Sequence, residues 1–222
     1  MPIDVAARVI ANRPLSSDYN VLSLAAPAIA AVAAPGQFVM LKAGCGGTPL
    51  LRRPFSVFEI VRDAAGAATG ISILSKRIGV STSLLYDARE GQRIDCLGPL
   101  GRPFTIVDQP SEAWMIAGGV GLAPFATLAQ ALHARGVKST LFYGARRADE
   151  LFYLDFFRAL DVELVLTTED GSAGEHGRIV APLDRRLAAC PAAVPSGPEC
   201  NSSDPCKRTQ FLSAPDCGCS GV

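Results

Sequence analysis

The hydrophobic pattern of this chain changes period once, at the Gln109-Pro110 break, and that change dictates a fold in two parts. Upstream, apolar residues come in short runs rich in β-branched and aromatic types: Ala6 to Ile10, Val21 to Leu24, Gln37 to Leu41, Phe55 to Ile60, Ile71 to Leu74 and Arg93 to Leu97. Pro, Gly, Asp and Ser punctuate them, the mark of a small barrel or sandwich. The expectation is a six-stranded Greek-key β-barrel over residues 1–108, interrupted by a helix from about Ser81 to Ala88 that Gly91 closes.

Downstream, strand and helix alternate. Trp114 to Ala117 reads as a buried strand, and Gly118, Gly119 and Gly121 follow at once. A helix from about Ala123 to Ala134 carries Phe125, Leu128, Ala129 and Leu132 at helical spacing, and Gly136 ends it. Ser139 to Tyr143 is the next strand, Ala148 to Leu160 the next helix, and Val162 to Thr168 a further strand. Such alternation produces a parallel sheet, here an α/β nucleotide-binding domain over residues 111–187. From about Ala188 neither period survives. The tail, residues 188–222, is rich in Pro, Ser and Cys and is expected to be irregular and disordered.

Charge and cysteine usage exclude several classes. Of 222 residues, 21 are Lys or Arg and 21 are Asp or Glu, so no basic excess points to nucleic acid or to an anionic membrane surface. The most apolar stretch, Ala25 to Ala34, is broken by Pro27 and falls short of the roughly 20 residues of a spanning helix. With Asp4 so early, the N-terminus does not read as a signal peptide, and a cytoplasmic location is expected. Cys45 and Cys96 lie in the body of the chain; Cys190, Cys200, Cys206, Cys217 and Cys219 crowd the tail. His133 and His176 are too isolated to argue a metal site.

Three motifs carry chemistry. Arg53-Pro54-Phe55-Ser56 places a planar guanidinium fork, suited to a phosphate, two residues before an aromatic ring on the same strand face, with a hydroxyl next. Leu74-Ser75-Lys76 ends a strand, and Gly79-Val80-Ser81-Thr82 opens the short helix, whose free N–H groups suit a phosphate. Gly118-Gly119-Val120-Gly121-Leu122-Ala123-Pro124 joins a strand to a helix, where glycines let a pyrophosphate approach the backbone and Pro124 suits the first turn. Read alone, each also suits a plain structural role: an exposed strand arginine, a helix cap, a tight βα turn.

Together, in this order, they resemble the ferredoxin-reductase superfamily. Within it the chain is similar to the electron-transfer subunits of NAD-dependent dihydroorotate dehydrogenase, through PGQF, LLRRPFSV, LSKRIGVST, LGPLGRPF and IAGGVGLAPF. The resemblance covers residues 5 to 187. It implies FAD held by Arg53, Pro54, Phe55, Ser56, Leu74, Ser75, Lys76, Gly79, Ser81 and Thr82, with Ser56 beside the flavin N5 as the catalytic hydroxyl. It implies NAD(H) at Gly118, Gly119, Gly121 and Pro124. The implied partner is an FMN-containing catalytic subunit that oxidises dihydroorotate in pyrimidine biosynthesis. Tyr143-Gly144-Ala145-Arg146 and Thr167-Thr168-Glu169-Asp170-Gly171-Ser172 fit the superfamily more weakly, and Arg146 and Arg147 also read as solvated charges.

The family also carries a [2Fe-2S] cluster on a C-x4-C-x2-C run with a distant fourth Cys. Here the spacing is Cys200-x5-Cys206-x10-Cys217-x-Cys219, and Ser196-Gly197-Pro198 stands where the family has Cys-Gly-Pro. The tail reads as replaced from about residue 188, which would leave one side of the parallel sheet uncovered. Two alternatives stay open: a free-standing NAD(P)H-flavin or ferredoxin reductase, or a sulfide dehydrogenase-type subunit, of the same fold; and a non-catalytic flavin-binding or truncated copy.

Overall fold

The structure, a computed structural model, describes residues 1–44, 49–107 and 112–189 and the backbone of 211–212. The N-terminal half is a curled antiparallel sheet of seven strands: β1 (Ile3–Pro14), β2 (Tyr19–Ala25), β3 (Phe38–Lys42), β4 (Arg53–Ser56), β5 (Glu59–Arg62), β6 (Ala68–Lys76) and β7 (Arg93–Leu100), in the order β4-β3-β7-β1-β2-β6-β5. Inward positions alternate along each strand, as Ala7 and Val9 do on β1, and meet Leu22, Leu24, Val39, Leu41, Ile71, Ile73 and Ile94 in one core.

The expected single strand from Phe55 to Ile60 is two strands, which makes seven where six were expected. The reason is closure. Val57 N–H donates to Gln37 O (3.0 Å) on the β3 side, and Phe58 N–H donates to Ser72 O (2.9 Å) on β6. The chain therefore steps from one edge of the curled sheet to the other within two residues, an event no local pattern encodes. Two helices accompany the sheet: α1 (Pro27–Ala30), which has no counterpart in the sequence reading, and α2 (Val80–Tyr86).

The C-terminal half has a sheet of order β11-β10-β9-β8-β12, built from β8 (Ala113–Gly118), β9 (Ser139–Ala145), β10 (Val162–Thr168), β11 (Glu175–His176) and β12 (Phe211–Leu212), with all pairings parallel. A 3₁₀ turn over Gly119–Leu122 leads into α3 (Phe125–His133), whose Phe125, Leu128, Ala129 and Leu132 are buried as the spacing requires. The expected helix from Ala148 to Leu160 is instead a 3₁₀ turn (Ala148–Glu150) and a short α4 (Leu154–Arg158). Tyr153 breaks it, with a left-handed backbone at φ 62°. That conformation is costly for a bulky residue and is held here by surroundings from the other half of the molecule: the Tyr153 hydroxyl meets the Arg13 guanidinium and the ring packs edge-on to Phe58 at 4.6 Å. Finally α5 (Val180–Ala188) closes the described body.

The halves share a core. Val21, Phe58 and Leu74 of the barrel lie in the same buried cluster as Met115, Phe125, Leu128, Leu141 and Tyr143. Phe104 stacks on Phe125 at 6.0 Å, and it fills the space beside Gly36, where a Cβ would come within 2.7 Å of its ring. Gly36 also has φ +88°, so the Pro35-Gly36 turn needs glycine twice over.

Of the tail expected to be irregular from about Ala188, Ala188 is the last residue of α5 and Ala189 follows it, Phe211–Leu212 pairs with Trp114–Met115, and the rest lies outside the described residues. The tail cysteines and Cys45 lie outside them too. Cys96 is buried, and desolvation pushes its thiol up to about 12, so it is inert. Among the described residues no helix is long and apolar enough to cross a membrane.

Candidate functional site: two cavities that share a wall

A cavity of about 580 Å³ opens beside the step from β4 to the β6 side of the curled sheet. Every residue implied for FAD lines it: Arg53, Pro54, Phe55 and Ser56 from β4, Leu74, Ser75 and Lys76 from β6, and Gly79, Ser81 and Thr82 at the start of α2. The step at Val57-Phe58 brings these segments together, because it carries the chain from β4 to the β6 edge.

Neighbouring arginines are sorted by strand geometry. Arg52 gives Nη1 and Nη2 to the two oxygens of Asp4, each at 2.9 Å. Arg53, on the opposite face of the strand, turns to the cavity, and among the described residues no carboxylate pairs with it.

The hydroxyls divide similarly. Thr82 Oγ1 accepts from Ile78 N–H (2.9 Å) and Gly79 N–H (3.0 Å) and donates to Gly79 O, so it shapes the turn. Asn12 holds the other end of α2: its Nδ2 reaches the carbonyls of Leu85 (3.1 Å), Tyr86 (2.8 Å) and Ala88 (2.9 Å). Ser75 Oγ is buried in the cavity wall and has no hydrogen-bond partner among the described residues. Gly79 has φ −171°, ordinary extended backbone, and a Cβ there would meet nothing within 4 Å. Neither feature serves the chain's own packing. An orphaned hydroxyl and a glycine-made opening fit a bound polar ligand of the size of a flavin nucleotide.

A second cavity, about 420 Å³, lies against the C-terminal ends of β8, β9 and β10, where nucleotides bind in parallel sheets. Gly118, Gly119, Gly144, Arg146, Thr167, Glu169 and Arg178 line it, together with Tyr19 from the barrel. Gly119 has φ +52° and needs glycine for its backbone. Gly118 does not: its φ is −134°, and a Cβ there or at Gly121 would meet nothing. Gly121 is exposed beside the cavity and Pro124 is buried in the turn before α3, so neither lines either cavity.

The two cavities share a wall: Lys76 and Val120 line both. Lys76 Nζ sits 4.7 Å from the Tyr19 ring centroid, and hydrogen bonding to Tyr19 raises the ammonium above the usual lysine value. Tyr143, pushed up by burial, donates to Glu150 O (3.0 Å) and fixes the loop at the cavity's flank. Tyr19 and Arg178 escaped the sequence reading. Tyr19 reaches the nucleotide cavity from a barrel strand, and Arg178 lies in a loop with no periodicity to mark it.

Comparison with known proteins agrees with this geometry. Residues 115–186 match the oxidoreductase NAD-binding domain family. The dihydroorotate dehydrogenase B (NAD(+)) electron transfer subunit of Desulforamulus reducens is 33% identical over 181 residues, 82% of this chain and 68% of that one. The subunit of the same name from Lysinibacillus sphaericus is 32% identical over 86% of this chain and 73% of its own; a Fusobacterium nucleatum relative is 34% identical, and 58% of its length is matched. Among solved structures, the NADH-dependent reduced ferredoxin-NADP oxidoreductase of flavin-based electron bifurcation aligns with TM-score 0.70 at 28% identity, covering 82% of this chain and 63% of that one. A ferredoxin NADP+ reductase from Neisseria gonorrhoeae aligns with TM-score 0.71 at 18% identity, covering 94% and 83%, a likeness of fold.

Proposed function

The chain belongs to the family of electron-transfer subunits of dihydroorotate dehydrogenase B, and on that premise we propose that it is an FAD-binding oxidoreductase subunit. It exchanges electrons between FAD in the barrel cavity and NAD(H) in the cavity beside it, serving an FMN-containing catalytic subunit that oxidises dihydroorotate. The observation that carries this is the shared wall: Lys76 and Val120 border both cavities, so ring systems bound in the two would meet there.

FAD, when bound, supplies two-electron exchange with nicotinamide and one-electron exchange onward. The chain's own residues do the rest. Arg53 clamps a flavin phosphate, with Ser81 and the start of α2 behind it. Phe55 packs on the ribityl or ring system, and Ser56 offers its hydroxyl at the N5 edge, where hydride arrives. Leu74 and Ser75 line the opposite wall. Gly118 and Gly119 bring backbone N–H groups to the pyrophosphate, and Tyr19 holds Lys76 at the junction. The spacing of the tail cysteines does not fit a [2Fe-2S] site, and no electron-transfer step is assigned to one.

The test is reconstitution. FAD-loaded chain mixed with an FMN-containing dihydroorotate dehydrogenase catalytic subunit is expected to make dihydroorotate oxidation depend on NAD. If NADH reduces the flavin but the mixture forms no orotate, the activity is that of a free-standing reductase, the reading that the unmatched cysteine spacing favours.

A further inference from the structure

Two consecutive rings of the nucleotide half dock on the barrel at different places. Phe152 packs on Tyr19 with ring centroids 4.9 Å apart, and Tyr153 meets Phe58 edge-on at 4.6 Å. Each barrel partner belongs to a different cavity. Phe58 is fully buried and follows Ser56 by two residues, at the step that brings the barrel cavity together. Tyr19 lines the nucleotide cavity and pairs in register with Lys76, which lines both. The Tyr19 hydroxyl also lies against the glycine turn, since a Cβ on Gly119 would come within 3.3 Å of it.

The same short segment is tied to its own half. The Tyr143 hydroxyl, on β9, donates to Glu150 O at 3.0 Å and accepts from Phe152 N–H at 3.4 Å. Glu150 itself lines the nucleotide cavity. Residues 150–153 therefore join the nucleotide cavity to two separate points of the barrel.

The backbone is bent to make both contacts. Adjacent side chains of an extended chain point to opposite faces, yet both rings here meet the barrel. The left-handed turn at Tyr153, φ 62°, accompanies this arrangement. Such a conformation in a bulky residue persists only where the surroundings over-determine it, and it gathers at clamps and switches. Arg13 completes the clamp: its guanidinium meets the Tyr153 hydroxyl and lies 5.2 Å from the ring centroid. A cavity of about 500 Å³ borders both rings and leaves them room to shift once the barrel contacts are removed.

We propose that Phe152 and Tyr153 are positioning residues for electron exchange: seated on Tyr19 and Phe58, they fix how the nucleotide cavity stands against the barrel cavity. Neither residue lines either cavity, so they act through the barrel rings and not on a ligand. This rests on the reading of the chain as a nicotinamide-dependent flavoprotein. A misplacement of about 1 Å between reacting groups costs on the order of a hundredfold in rate. Affinity for each ligand is set within its own cavity and is largely spared.

The experiment is anaerobic rapid mixing of the FAD-loaded full chain with NADH. It reads the limiting rate of flavin reduction, the Kd for NADH, and the long-wavelength charge-transfer absorbance that flavin and nicotinamide give when stacked. Tyr153→Gly suits the left-handed backbone and removes the ring. Phe152→Leu leaves the turn at Tyr153 untouched and decides the matter if Tyr153→Gly does not fold. Each is expected to slow the limiting rate about tenfold or more and to weaken the charge-transfer band. FAD and NADH affinities are expected to stay within about threefold, the pattern of an interaction that serves the reacting geometry and not binding. Tyr153→Phe keeps the ring on Phe58 and is expected to hold the rate within about threefold. An unchanged rate and band in the ring-removal variants overturns the proposal. So does a rate that falls only in proportion to lost FAD or NADH affinity, which a merely structural role would give. If the unaltered chain reduces its flavin normally in either case, the positioning role alone is wrong. If NADH leaves the flavin of the unaltered chain oxidised, the underlying reading is wrong and the proposal falls with it.

Discussion

Arg52 forks onto both oxygens of Asp4 at 2.9 Å, tying β4 to β1, and so leaves Arg53 as the guanidinium that faces the barrel cavity. Arg53→Ala is expected to weaken FAD roughly ten- to a hundredfold, the loss of about 1.5–3 kcal/mol of charge-assisted hydrogen bonding. Arg52→Ala is expected to cost about 0.2–1 kcal/mol of stability and little FAD affinity, because its ion pair is partly exposed. FAD titration and urea unfolding of the two variants would check the division.

Two glycines of the C-terminal half, Gly118 in the cavity wall and Gly174 outside it, are expected to behave oppositely. Gly118→Ala adds a methyl where nothing stands and the backbone is unstrained. Stability should hold or rise by about 0.4–1 kcal/mol, while nucleotide affinity falls. Gly174 has φ +66°, and a Cβ there would lie 2.2 Å from Leu166 O. Gly174→Ala should cost roughly 1–3 kcal/mol or more in stability. Thermal melts with and without NAD(H) separate the two.

Glu59 sits half-buried at the join of the two halves. Burial raises its carboxyl above the usual glutamate value, against the pull of the Arg13 guanidinium and a hydrogen bond with Tyr153. The folded state thus holds the proton more tightly than the unfolded one. Glu59 therefore lowers stability as pH rises from the ordinary glutamate value through the raised one, and the penalty persists above it. Glu59→Gln is expected to raise the melting temperature at pH 7, with the gain shrinking as pH falls to the ordinary glutamate range. A gain that grows on acidification would contradict the assignment.

Ser56 lines the cavity at the end of β4. With its hydroxyl at the flavin N5 edge, Ser56→Ala should retain FAD and slow flavin reduction by NADH about tenfold or more, the scale of one lost transition-state hydrogen bond. Stopped-flow absorbance reads this directly.

Much of this was legible in the chain because the deciding signals are local. The RPFS and GVST segments fall on one cavity, and the glycine turn joins β8 to α3, because strand alternation and helix starts are set by adjacent residues. What was not legible depends on contacts distant in sequence. The step at Val57-Phe58 arises when the sheet curls onto Gln37 and Ser72. The break at Tyr153 is held by Arg13 and Phe58, across the join of the two halves. Arg178 enters the nucleotide cavity through the packing of Ile179 over Gly144, where a Cβ would lie 3.1 Å from the Ile179 Cβ. Nor could sequence tell Arg52 from Arg53, or Thr167 from Thr168, by composition; in each pair one member is engaged by the fold and its neighbour lines a cavity.

The most direct test of the central claim is an anaerobic absorbance titration of the FAD-reconstituted chain with NADH. The account predicts flavin bands in the purified protein that bleach as about one equivalent of NADH is added, since one hydride carries both electrons. A chain that takes up no flavin, or whose bound flavin stays oxidised in excess NADH, would contradict it.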